Sequence, residues 1–480
     1  MGDEFFPALT RLSGEGESYR EFVGGKKDRV KMVYVGANDG MVHGFVAGEG
    51  AGGSLCDAAG LGQEALAYVP GAVVGRLPHL AKPDYTHRFY VDGPLYAGDA
   101  YLDLGDGNKW RTLLLGGLGN GGRAVFALDV TNPCAFDANK VLWEFSSAND
   151  ADLGYTHARP LIAKLNNGLW AAVVANGYNS ANGHAVLFLL DLKTGAVIKK
   201  IDADAGAGGL DNGLMSPTLY DENGDGIIDH VYAGDNLGRL WKFDLSSSNP
   251  TEWRVAYEGQ PLFTTGGEPI QAAPRLGDPP AGEDGVMVYF GSGRLVSSAD
   301  VTDTAERAIY AVLDSGSGNL TRADLAARSV TAQMIVEGRT IRRSTVAPVD
   351  YSTQKGWYLP LGGGERIISP AQFVSGRILF SSVSPTADPC SAGGESWLYE
   401  LDPITGSMPE ASIFDFGTTE PVQLAALKLS GLSKSAIFLR DYGVGKGVML
   451  AQDITGKTKT EGFRLQGLRL GRVSWREIIE

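Results

Sequence analysis

The segments SPTLYD (216–221), DHVYAGD (229–235) and GRLWKFD (238–244) decide the fold. Each alternates, or is rich in β-branched and aromatic residues, and Gly or Asn stands between them, the pattern of antiparallel hairpins. Working outward, the same order recurs along the chain: a small or polar residue, a proline, an apolar strand, a turn, a strand ending in glycine, and a strand ending in apolar-x-Asp. The prolines are Pro94, Pro160, Pro217, Pro274, Pro370 and Pro421, and the closing aspartates are Asp129, Asp191, Asp244, Asp314, Asp402 and Asp453. Their separations run from 27 to 40 residues, and six near-equal units identify a repeat architecture.

RPLIAKL, WAAVVANG and AVLFLLD restate the unit between residues 159 and 191, whereas the unit from Pro421 to Asp453 is the weakest. VYVGANDGMVHGFVA (33–47) adds two strands of one more unit. Near-continuous apolar strands such as AVLFLLD are expected where a sheet is covered on both faces, as in a propeller blade. The expected fold is therefore all-β, a modified β-propeller of about seven blades with loop insertions, spanning 33–470, after a lead-in at 1–32 and before a tail at 471–480. FRLQGLRL (463–470) is expected to close the ring beside the first blade. The interval from Pro274 to Pro370 is 96 residues against 57 from Pro217 to Pro274, which marks an insertion; within it DLAARSVTAQMIVEGRTIRR (324–343) has room for a short helix.

Composition excludes more than it identifies. A net charge of −14 over 480 residues disfavours nucleic acid and anionic lipid. No apolar run reaches the ~18 residues of a membrane span. Met1-Gly2-Asp3 opens without the basic and apolar regions of a signal peptide, so the chain is either cytosolic or a fragment whose export signal lies upstream. Three cysteines leave two readings open: a Cys56–Cys134 bridge in an oxidising compartment, or three free thiols including Cys390.

The chemistry is concentrated in Asp-Glu-Asn-Gly-Asp-Gly-Ile-Ile-Asp at 221–229, which matches the start of the calcium-loop pattern D-x-[DN]-x-[DN]-G. Asp221, Asn223 and Asp225 would each offer a side-chain oxygen, Gly226 permits the turn that exposes the Ile227 carbonyl, and Asp229 closes the shell. One Ca2+ ion is the expected cofactor, since a hard cation takes six to eight oxygens whereas magnesium keeps many waters. The usual acidic residue at the twelfth position is replaced by Tyr232, and strands flank the loop, so no paired-helix opening is expected. A solvated acidic turn is the plainer alternative. Asp103 to Asn108 reads as a hairpin turn, the six histidines lack zinc spacing, and His230 is placed only to support Asp229. Nothing resembles a catalytic motif, so no enzyme is expected.

VYVGANDGMVHGF (33–45), HRFYVDGP (87–94), LLLGGLGNGGRAVFALDVTNP (113–133), DLGYTHARP (152–160), HVYAGDNLGRLWKFDLS (230–246) and SWLYELDPITG (396–406) resemble the C-terminal domain of PilY-type type IV pilus biogenesis factors, and the resemblance reaches GRVSWREI (471–478). It implies a modified β-propeller whose calcium loop is a switch, occupancy opposing pilus retraction. By position the ligands are Asp221, Asn223, Asp225, Ile227 and Asp229. It also implies twitching motility, surface adhesion, location at the cell surface, pilus tip or outer membrane, an upstream signal peptide, and pilus machinery, minor and major pilins and host receptors as partners. Two other classes compete: a quinoprotein-dehydrogenase-like enzyme, disfavoured because no Cys-Cys pair exists, and a lectin-like propeller using exposed aromatics such as Tyr178 or Trp357.

Overall fold

The computed structural model describes residues 6–12, 14–50, 56, 60–204, 211–386, 393–441 and 445–465. Cys390, residues 466–470 of the expected closing strand and the 471–480 tail lie outside the described residues. The chain is an all-β propeller that divides into two compact units, Met1–Asn236 with Leu240–Pro261, and Leu237–Arg239 with Leu262–Glu480.

In the first unit the hairpin repeat becomes four successive antiparallel blades. Their strands are Lys31–Gly36, Val42–Gly48 and Glu64–Tyr68; then Leu95–Asp103, Asn108–Gly117, Ala124–Asp129 and Val141–Ser146; then Leu161–Lys164, Trp170–Ala175, Val186–Asp191 and Val197–Asp202; then Leu214–Tyr220, His230–Asp235 and Arg239–Asp244 with Arg254–Val255 alongside. Middle strands such as Trp170–Ala175 are buried at every position. Both faces of such a strand are covered, so it shows no polar alternation. The turn Asp103 to Asn108 is indeed a plain hairpin, with Asp103 Oδ1 accepting from the Gly105 and Gly107 amides at 2.8 and 2.9 Å.

The second unit holds a fifth blade, Arg275–Gly277, Val286–Gly291, Arg307–Asp314 and Gly356–Leu361, and a sixth built on Arg377–Pro385 and Gly394–Leu401. The expectation of about seven blades is corrected to six. Ala426–Lys428, read as the start of the Pro421 unit, instead pairs with Gly394–Leu401 of the preceding sheet. What remains of that unit, Ala436–Asp441 and Lys446–Gln452, forms a separate three-stranded meander with Thr458–Arg464, so Phe463 and Arg464, expected to close the ring beside the first blade, pair instead with Gly447 and Lys446. The short helix expected within 324–343 is also corrected. Val330–Val336 and Arg339–Ser344 form a β-hairpin, because Glu337 and Gly338 both take positive φ (47° and 73°) and turn the chain. This hairpin joins the sixth blade through Ile341 and Arg342, which pair with Leu427 and Ala426.

The closing aspartates have a visible purpose. Asp191 Oδ1 accepts from the Thr194 amide and hydroxyl, both at 2.8 Å, and Asp402 Oδ1 does the same with Thr405 at 2.8 and 3.0 Å. Each turn then presents a left-handed glycine to a tryptophan. Trp143 Nε1 donates to the Leu192 carbonyl at 2.9 Å, and Trp357 Nε1 donates to the Pro403 carbonyl at 2.9 Å. A Cβ on Gly195 would lie 2.7 Å from the Trp143 ring, and one on Gly406 would lie 2.3 Å from the Trp357 ring. Trp357 is thus fully buried, which removes it from the expected set of exposed sugar-stacking aromatics; Tyr178 is half-buried, its ring against Tyr155 and His157.

Cys56 and Cys134 are bonded as a disulfide, the first of the two alternatives read from the sequence. The segment before the first blade is ordered against the first unit: a short turn, Pro7–Arg11, leads into the helix Gly16–Lys26. Lys26 Nζ forms a buried ion pair with Asp99, which also accepts from Tyr19 Oη at 3.0 Å and from Thr112 Oγ1 at 2.8 Å.

Candidate metal centre

Residues 221–229 connect Leu214–Tyr220 to His230–Asp235 and so replace the turn of a hairpin in the fourth blade. The glycines decide its local path. Gly224 and Gly226 have φ of 75° and 91°, a region that L-residues avoid, and these two reversals curl the backbone around the Asp221 carboxylate. Asp221 Oδ1 accepts from the Gly224 and Asp225 amides at 2.6 and 3.0 Å, and Oδ2 accepts from the Gly226 amide at 2.8 Å. Asn223 Oδ1 accepts from the Asp225 amide at 2.8 Å, and Asp225 Oδ1 from the Ile227 amide at 2.8 Å.

Asp229 is buried, its Oδ2 accepting from the Glu222 amide at 2.9 Å and its Oδ1 from Asn166 Nδ2 at 3.2 Å. Asn166 Nδ2 also reaches the Ile228 and Leu245 carbonyls at 3.2 and 3.1 Å, and the Ile228 amide donates to the Lys164 carbonyl at 2.9 Å. The exit of the loop is therefore pinned to the third blade. His230, expected to support Asp229, instead faces Glu222 and Asp244: its Nε2 is 3.2 Å from Glu222 Oε2 and its Nδ1 3.8 Å from Asp244 Oδ1.

The structure gathers all five predicted ligand residues on one turn but does not focus their carboxylates. Among the described residues no group of three or more His, Cys, Asp or Glu side chains converges as a metal would require. The donor set nevertheless fits a hard cation. Every predicted ligand atom is oxygen, and the hydrogen bonds accepted by the three carboxylates come from neutral amides. A carboxylate has about four lone-pair sites and an amide oxygen two. By that count Asp221 keeps a site on Oδ2, Asp225 one on Oδ1 and two on Oδ2, Asp229 one on each oxygen, and Asn223 one on Oδ1.

Asn166 and Arg11 escaped the sequence reading. Asn166 stands 63 residues before Asp229, and Arg11, whose Nη1 donates to the Gly224 carbonyl at 2.7 Å, stands 213 residues before Gly224. Neither belongs to a spacing pattern, so only the assembled blades bring them to the loop.

Residues 4–338 match the family model described as the PilY1 beta-propeller domain. The chain is 39% identical over 424 residues to a type IV pilus biogenesis factor PilY1 homolog of Xylella fastidiosa, covering 81% of this chain and 27% of that protein. It is 35% identical over 447 residues to the type IV pilus biogenesis factor PilY1 of Pseudomonas aeruginosa, covering 83% of this chain and 37% of that protein. The chain thus spans between 27% and 37% of the length of these curated relatives. Among solved structures, the Pseudomonas aeruginosa PilY1 C-terminal domain superposes with a TM-score of 0.75 and 31% identity, covering 95% of this chain and 96% of that one.

Proposed function

The chain belongs to the PilY1 β-propeller family, and on that premise we propose that it is the calcium-binding, non-enzymatic propeller of a type IV pilus biogenesis factor. The observation that carries the calcium reading is the set of five oxygen donors on a nine-residue turn, Asp221 to Asp229, whose acids meet only neutral hydrogen-bond donors. Three carboxylates so close repel one another, and a divalent cation relieves the repulsion. Asp221, Asn223, Asp225, the Ile227 carbonyl and Asp229 would hold it; bound calcium supplies positive charge and ties the two ends of the turn together.

Occupancy of this turn regulates pilus extension and retraction, and through them twitching and surface adhesion. The protein works with the pilus machinery and pilins at the cell surface. The Cys56–Cys134 disulfide supports an exported location, because disulfides persist in oxidising compartments. Among the described residues no helix is long and apolar enough to cross a membrane.

The test is calorimetric titration of the chelator-treated chain with calcium, paired with thermal melts. Calcium at a hundredfold excess over its dissociation constant stabilises the wild type by about 2.7 kcal/mol. Asp229→Ala loses both the binding heat and the shift while keeping the β-rich circular dichroism of the fold. Equal shifts in variant and wild type would refute the assignment. In cells, the same substitution in the full-length protein alters twitching.

A further inference from the structure

The metal loop is covered by the amino-terminal turn. Besides the Arg11 hydrogen bond to the Gly224 carbonyl, Gly226 sits beneath the Ala8 carbonyl: a Cβ on Gly226 would lie 2.5 Å from that oxygen and 3.1 Å from Leu12 Cδ2. Beside this contact lies a cavity of about 190 Å³, lined by Phe6 and Ala8 of the turn, by Asp221 and Ile228, and by Tyr96 and Trp170 of the second and third blades. Behind this contact the chain is moored at Glu15, just ahead of the helix. Trp110 Nε1 donates to the Glu15 carbonyl at 3.1 Å, and Lys164 Nζ lies 2.9 Å from Glu15 Oε1.

We infer that docking of residues 6–12 on the loop and calcium binding within it are positively coupled, so that the strap carries the metal state of the loop to the amino-terminal side of the propeller. The inference rests on the calcium reading above. The strap touches Gly224 and Gly226, and these alternate with the predicted ligands Asn223, Asp225 and Ile227. Strap and metal therefore act on the same few dihedrals, and each spares the other the entropy of ordering them. The coupling is reciprocal by linkage.

Hydrogen exchange and calorimetry on the 480-residue chain test this. The Leu9 and Leu12 amides are hydrogen-bonded within the strap and the Gly16 amide to the Leu12 carbonyl, so their exchange reports its docking. Calcium is expected to slow that exchange relative to chelator, and Asp225→Ala to abolish the difference. Arg11 is exposed, so Arg11→Ala spares the core; it is expected to weaken calcium binding about five- to tenfold, within the usual range of coupling. Deletion of residues 1–12 shifts affinity the same way. If Arg11→Ala binds calcium as tightly as the wild type or more tightly, or if strap exchange ignores calcium that demonstrably binds, the coupling is wrong and the calcium site stands. If the wild type binds no calcium, the site reading itself fails and the coupling with it.

Discussion

Glu400, fully buried on the strand Gly394–Leu401, makes the stability of the second unit depend on pH in a calculable way. Its Oε2 accepts from Ser412 Oγ at 2.7 Å and its Oε1 from the Ile413 amide at 3.0 Å, with Arg377 Nε at 3.8 Å. Burial outweighs these favourable contacts and pushes its carboxyl from 4.5 up to about 7. The folded state therefore holds this proton more tightly than the unfolded chain does. Its contribution is complete below the unfolded value and is lost as pH rises through the folded one. Between about pH 5 and pH 8 the loss amounts to about 2 to 3 kcal/mol at 1.36 kcal/mol per unit. Glu400→Gln keeps the shape and an acceptor oxygen but cannot ionise. Urea titrations of both proteins at the two pH values should show the variant gaining that amount over wild type at the higher pH, and much less at the lower. Parallel pH profiles for the two proteins would refute the reasoning.

Two further outcomes follow from packing. Lys26→Met strands the buried Asp99 charge and should cost about 3 to 5 kcal/mol in a denaturant titration, while Lys26→Met with Asp99→Leu should recover much of it. Gly406→Ala places a methyl 2.3 Å from the Trp357 ring at a φ of +67°, and should lower stability by about 2 to 4 kcal/mol, with a shift in tryptophan fluorescence as Trp357 is displaced.

Local rules carried much of this protein. Hairpin strands, their turns and the closing aspartates depend on dihedral preference and on pairing between neighbours in sequence, so the propeller was legible from alternation, glycine and apolar-x-Asp alone. The same holds for the donor set of the Asp221–Asp229 turn, whose chemistry lies in nine consecutive residues. Partner choice between distant segments was not legible. Ala426–Lys428 completes the sixth blade instead of opening a seventh because an unsatisfied strand edge was available to it, and a sequence does not display which edges are free. The burial of Trp357 on Gly406, the choice between a Cys56–Cys134 bridge and free thiols, and the arrival of Asn166 and Arg11 at the loop share that cause. Each contact spans dozens to hundreds of residues, and only the closed blades, having met the loop-closure entropy, bring its two halves together.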